Sequence, residues 1–318
     1  MPPEPDEFLP LRPPHRRNVV YAETPSAQLL LDLSRPALDA AVPVVLSFHA
    51  GGWRSGSKDH CRLRWLTRYG FAVASVNYRL LPHHRFPAQL EDAKSAVRFL
   101  RRNAGEFGLI PDQFAAAGLS AGAYLACMLG LTHGHPALDA PPDRTPVPDR
   151  MSHPGLPAPA DAGDPGAGST AVQAVLNVAG LVDFLEIQRD PTRRGDRAAR
   201  APEGRLLGHA VRDNPERARR ASPMHHVRPD APPFLHLHGD RNEAVPLDQT
   251  RHFHAALRDA GVESKMVLVR GAGHNSRRLT DTPSLRDRIA DFFHRHLGTD
   301  GMRSVQERLR DDRPAKSA

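Results

Sequence analysis

The residues best suited to chemistry lie in "AAAGLSAGAY", Ala115 to Tyr124, where Ser120 sits inside Gly118-Leu119-Ser120-Ala121-Gly122. A serine hydroxyl is a poor nucleophile at neutral pH. It needs a base, a group that orients the base, and donors for a tetrahedral oxyanion. The G-x-S-x-G spacing alone should arise by accident in roughly one chain in ten of this length, so the other members decide the matter. "SFHAGGWRSG" offers the donors: the N–H groups of Gly51 and Gly52, joined by that of Ala121, can approach a substrate carbonyl without a side chain intervening. Taken alone, the same residues also read as an ordinary glycine turn. The base candidate is His274 in "VRGAGHNS", selected from 18 histidines by its position directly after the last strand-like run. His236 and His238 alternate onto one strand face, but no third ligand stands at metal-site spacing, so they read as core packing and no metal is expected. His83, His84, His225 and His226 read as loop residues.

Such a serine must sit between a strand that delivers it and a helix that leaves it, with small neighbours where the two cross. "QFAAAGL" reads as the strand and "AGAYLACMLGL" as the helix, whose N-terminus aims N–H groups at developing negative charge. Upstream, Asn18 to Tyr21 and Gln28 to Leu33 read as strands, as do the continuously apolar "VPVVLSFHA" and "FAVASVNY". Lys58 to Tyr69 can be helical, and Ala88 to Ala104 places Leu90, Ala93, Val97, Leu100 and Ala104 on one helical face. Further strands are expected at "AVQAVLNVAG", "PFLHLHG" and "SKMVLVRG". Helices are expected from Gln249 to Ala260, ending before Gly261, and from Ser284, with Asp287 completing a capping box. This alternation calls for an α/β domain: a mainly parallel central sheet with helices on both faces, over residues 18–298. Residues 133–170, rich in Pro, Gly, Ala and Asp, read as a mobile surface insertion, and the Arg-rich 183–232 as a lid over the sheet edge. Residues 1–17 and 299–318 read as polar tails.

At 318 residues one catalytic domain with tails fits, and the net charge of +7 comes from arginines scattered among acidic residues rather than a basic block. Aromatics are scarce and no finger spacing is present, which argues against nucleic-acid binding. Two cysteines, Cys61 and Cys127, are too few for a disulfide framework and suit a reducing compartment. The proline-rich start lacks the apolar run of an export signal, and no segment is long enough to span a bilayer, so a soluble, cytoplasmic protein without a membrane partner is expected. Oligomeric state is left open.

Taken together, "HAGGWRSGSKD", "YGFAVASVNYRL", "FPAQLEDAKSAVRFLRRNA", "GLSAGAYLA", "ASPMHHVRPDAPPFLHLHGD" and "RGAGHNS" give the chain, from Val19 to Leu297, a resemblance to α/β-hydrolase esterases of the hormone-sensitive-lipase and feruloyl or acetyl-xylan esterase-like type. The resemblance implies an α/β-hydrolase fold and a cofactor-free hydrolysis of short-chain, acetyl or feruloyl esters through an acyl-enzyme on Ser120, with His274 as the proton shuttle. It also exposes two departures. Ala50 stands where the family usually has a first glycine, a mild change if its φ is negative. In "HGDRNEAVP" the family's triad aspartate falls at Asn242, while Asp240 matches a position without a triad role. Three readings follow: Asp240 substitutes through a rearranged loop, which is the reading favoured here; Glu243 or another carboxylate does; or the triad is impaired and the chain is a ligand-binding homologue. An exopeptidase of the same fold is the further enzyme alternative.

Overall fold

The computed structural model describes residues 15–25, 27–139, 168–188 and 200–298. One eight-stranded sheet runs through it in the order β1-β2-β4-β3-β5-β6-β7-β8. The strands are β1 (Arg16–Thr24), β2 (Ala27–Ser34), β3 (Val42–Phe48), β4 (Ala72–Val76), β5 (Leu109–Leu119), β6 (Ala174–Val178), β7 (Phe234–Gly239) and β8 (Ser264–Val269). The β1–β2 and β2–β4 pairs are antiparallel, and every pair from β4 across to β8 is parallel. Every residue of β3, β4 and β6 is buried, as the unbroken apolar runs require of strands covered on both faces.

Alternating side chains divide the interior into two cores. Val44, Leu46 and Phe48 face one side with Leu90 and Val97 of α1 (Ala88–Arg102) and Tyr124 and Met128, which lie beyond Ser120. Val45, Ala115, Ala117 and Leu119 face the other with Trp65, Ile289 and Phe293. The apolar face read between Ala88 and Ala104 breaks at Asn103, whose amide donates to the Phe99 carbonyl at 2.8 Å, and a short α2 (Ala104–Phe107) follows. The helix leaving Ser120 is α3 (Ala121–Leu131).

Several expectations shift. Lys58 to Tyr69 forms two 3-10 turns, Lys58–His60 and Arg64–Tyr69, instead of an α-helix. The reason is a tertiary anchor: the buried Lys58 ammonium lies 2.9 Å from Asp32, and the Lys58 N–H donates to Asn77 Oδ1 at 2.6 Å. β1 begins at Arg16, inside the stretch read as tail. The last helix starts at Pro283 after Thr282, and Asp287 accepts the Tyr69 hydroxyl at 2.8 Å in place of the expected capping box.

The ends of the expected insertion are fixed. Arg98 of α1 donates to the Gly168 carbonyl at 3.0 Å and to the Asp139 carboxylate at 2.8 Å, and Thr170 donates to that same carboxylate. Residues 140–167 lie outside the described residues, as do 189–199 of the expected lid and the tails 1–14 and 299–318. The described remainder of 183–232 folds into α4 (Phe184–Ile187), α5 (Pro202–Leu207) and α6 (Pro215–Arg220) with two 3-10 turns. α7 (Leu247–Asp259) and α8 (Pro283–His296) complete the helices among the described residues.

Strand order reverses direction at β3, whose neighbours are β4 on one side and β5 on the other. The crevice outside the carboxyl ends at such a reversal is where open α/β sheets place their ligand sites. Here it lies between the loop after β3 and the end of β5.

Candidate active site

At the end of β5 the backbone of Ser120 takes φ 56° and ψ −119°, a region that non-glycine residues rarely occupy. Two bonds hold it there: the Ser120 N–H donates to Val178 O at 2.9 Å, and the Tyr124 N–H donates to Ser120 O at 2.9 Å. The glycines around it are steric necessities. A Cβ on Gly122 would lie 2.0 Å from the Phe48 carbonyl oxygen, and one on Gly118 would lie 2.2 Å from the Gly122 carbonyl carbon. Only glycines allow strand, turn and helix to cross this closely.

His274 arrives from the loop after β8, 154 residues on, and its Nε2 lies 2.9 Å from Ser120 Oγ. Arg62 braces that loop by donating to the Asn275 carbonyl at 3.0 Å and the Ser276 carbonyl at 3.4 Å. Burial, with the nearby Arg62 guanidinium, holds the imidazole below the ordinary histidine range. His274 is therefore neutral at pH 7 and can accept the serine proton.

No carboxylate among the described residues hydrogen-bonds to His274. Asp240 is exposed, and its Oδ1 accepts the Gly271 N–H at 2.6 Å, tying the end of β7 to the turn after β8. No hydrogen bond joins Asp240 to His274 as the substitute-acid expectation requires: one of its oxygens is taken by that turn, and His274 Nδ1 is buried without a hydrogen-bond partner among the described residues. Glu243 is exposed and makes no bond to His274. Asn242 folds its own loop: Oδ1 accepts the N–H groups of Ala244 at 3.1 Å and Val245 at 3.0 Å, leaving Nδ2 buried and unpartnered. An amide Nδ2 can only donate. It can pair with His274 Nδ1 only in the tautomer that protonates Nε2, which is the wrong one for a base.

The loop after β3 winds tightly around Gly51, whose φ of 129° admits glycine; a Cβ there would meet Ser55 O at 2.0 Å. Arg54 and Ser55 N–H groups both close on the Gly51 carbonyl. The N–H groups of Gly51 and Gly52 have no acceptor among the described residues. Ala50 is absent from the residues with positive φ, so its alanine is tolerated. Trp53 anchors the loop, packing edge-on against Tyr124 at 5.1 Å and Phe184 of α4 at 6.0 Å. Tyr78, which the sequence reading missed, stacks on His49 at 4.3 Å and donates its hydroxyl to the His49 carbonyl at 2.8 Å. Also missed was Asp92, fully buried in α1, which accepts from Arg79 Nε and the Arg79 N–H and so fixes the segment after β4. In the sequence Asp92 stands beside Glu91, off the apolar face of the helix, and so carries no signal that sets it apart from a solvated carboxylate.

His236 and His238 are packed in the core as expected. His236 lies between Asn177 and Ser264, and His238 between Thr250 and the Val245 carbonyl, so His238 props the loop that carries Asn242. Burial pushes them down to about 3 and about 4 respectively.

A mainly parallel sheet with a serine on a strained strand-to-helix turn and a histidine on the loop after the last strand defines an α/β-hydrolase. The chain belongs to the BD-FAE family, whose model matches residues 31–257. Among curated relatives it is 31% identical over 264 residues to Esterase LipC of Mycobacterium tuberculosis, covering 82% of this chain and 59% of that protein. The chain thus spans about three-fifths of that relative's length. Among solved structures it is similar to a truncated carbohydrate esterase from gut microbiota, with 25% identity, TM-score 0.71 and 89% and 96% of the two chains covered. It is also similar to the propionate-bound esterase Est2 of Thermogutta terrifontis, with 26% identity, TM-score 0.62 and coverage of 88% and 93%.

Proposed function

We propose that this chain hydrolyses carboxylic esters through an acyl-enzyme, using Ser120 and His274 as a dyad. The observation that carries the reading is the 2.9 Å approach of His274 Nε2 to Ser120 Oγ at the strained turn. His274 takes the serine proton as Oγ adds to the ester carbonyl, then returns it to the departing alcohol; water repeats the sequence to release the acid. The N–H groups of Gly51, Gly52 and Ala121 are assigned to the oxyanion. Their support is the absence of other acceptors for the two glycines and the position of Ala121 as the first residue of α3. Short acyl chains, acetyl and feruloyl included, are the proposed substrates, on the strength of the family and the similarity to esterases. The described part of 183–232 is assigned to a lid, supported by the Phe184 contact with Trp53. A cytoplasmic setting is supported by the two free thiols, Cys61 and Cys127.

Hydrolysis of 4-nitrophenyl acetate and labelling of Ser120 by a fluorophosphonate test the reading. Both are expected for the native chain and both should vanish in Ser120→Ala. The orphaned His274 Nδ1 favours one second reading, a ligand-binding homologue with little turnover. An intact fold whose Ser120 resists the probe would establish that reading in place of the first.

A further inference from the structure

A cavity of about 800 Å³ lies among the loops that carry the catalytic pair, lined by their chain neighbours and not by Ser120 or His274 themselves. Its walls include Gly51 of the proposed oxyanion loop, Leu119 directly before the nucleophile and Asn275 directly after the base. Five arginines line it, Arg62, Arg64, Arg68, Arg277 and Arg286, against two carboxylates, Asp59 and Asp281.

Both carboxylates are already engaged. Asp59 is already engaged by the Ser57 hydroxyl at 2.9 Å and the Lys58 ammonium at 3.3 Å. Asp281 stands 3.9 Å from Arg286. Arg62 donates to neutral carbonyls and makes no ion pair among the described residues. The half-buried Arg64 side chain makes no ion pair among the described residues. Arg68 and Arg286 are close enough to repel each other, and Arg68 is depressed first by burial and then by that neighbour. Like charges gathered in a partly enclosed space weaken the fold by self-repulsion, and they focus a positive field on whatever enters. Beyond Arg62, which braces the His274 loop, hydrolysis of a neutral ester needs none of them.

We infer that this cavity receives an ionised carboxylate carried by the substrate, so that the preferred ester bears a second acidic group in its acyl or its alcohol part. The inference rests on the ester-hydrolase reading. Planar guanidinium groups match a carboxylate with paired N–H donors, and the field draws the anion toward Ser120.

Two matched pairs of esters test it: 4-nitrophenyl hemiadipate against 4-nitrophenyl hexanoate places the charge on the acyl side, and 4-acetoxybenzoate against phenyl acetate places it on the alcohol side. In one pair the anionic ester should show kcat/KM at least about tenfold above the neutral one. That ratio should fall with added salt and approach unity in Arg64→Gln and Arg277→Gln. Taking the ratio within each variant cancels any loss of folded protein. Ratios at or below one in both pairs, or a preference that both variants retain, would overturn the inference. Calorimetric titration of Ser120→Ala with the same esters reads the cavity even if the native chain hydrolyses nothing. Tighter binding of an anionic ester, lost in Arg64→Gln, upholds the anion site, and equal binding removes it.

Discussion

A single amide nitrogen decides much of this site's chemistry. Asn242 keeps the loop-forming bonds to Ala244 and Val245 that one carboxylate oxygen could make, and replaces the other oxygen with a donor. Asn242→Asp should therefore preserve the loop and supply the acceptor that His274 Nδ1 lacks. In serine proteases the reverse change costs about four decades of turnover. The variant should raise kcat on 4-nitrophenyl acetate by orders of magnitude, up to about 10⁴. Its pH profile carries a second signature. In the native chain His274 is held below the ordinary histidine range, so the neutral base persists into mildly acidic solution and the acid limb of kcat/KM falls below pH 6.5. A carboxylate beside the ring favours the imidazolium and moves that limb to higher pH in Asn242→Asp. An unchanged kcat and limb would show that residue 242 does not face the ring.

The strained turn depends on β3, β5 and α3 being nearly in contact. With a Cβ 2.0 Å from the Phe48 carbonyl, Gly122→Ala must push α3 off the sheet. Overpacking of this kind costs about 1–3 kcal/mol, and the displaced serine should lose fluorophosphonate reactivity at least tenfold, as timed labelling would reveal. Elements such as these were legible in the sequence because their signals are local. The apolar runs of β3 and β4, the small residues around Ser120 and the position of His274 all mark themselves. The 3-10 character of Lys58–Tyr69 was not legible, since it follows from the Lys58 pairing with Asp32, 26 residues away in sequence. Nor was the fate of Asp240. Which of two nearby side chains reaches a histidine depends on how the loop closes, and Asn242 closes it from within by bonding its own backbone.

For the molecule as a whole, the two buried histidines of β7 link stability to pH. Folded, they titrate near 3 and near 4; unfolded, they return to about 6.5. Below pH 6.5 the unfolded chain binds protons that the folded chain refuses, so stability falls as pH drops toward 4, by about 1.4 kcal/mol per unit for each residue. Denaturant melts between pH 7 and 4 should show that slope, and His238→Gln should flatten it even if it lowers the absolute value. Stability independent of pH over this range would contradict the buried neutral state.

Arg98 touches both Asp139 and Gly168, so one guanidinium gathers two points of the chain 29 positions apart to within a few ångströms of each other. Chain that leaves and returns at one place can be exchanged at little entropic expense. Arg98→Ala should let those two points part and, by leaving the half-buried Asp139 with fewer donors, cost about 1–3 kcal/mol in denaturant melts. The same junction is then a natural port for grafting a fluorescent reporter, whose arrival need not disturb Ser120.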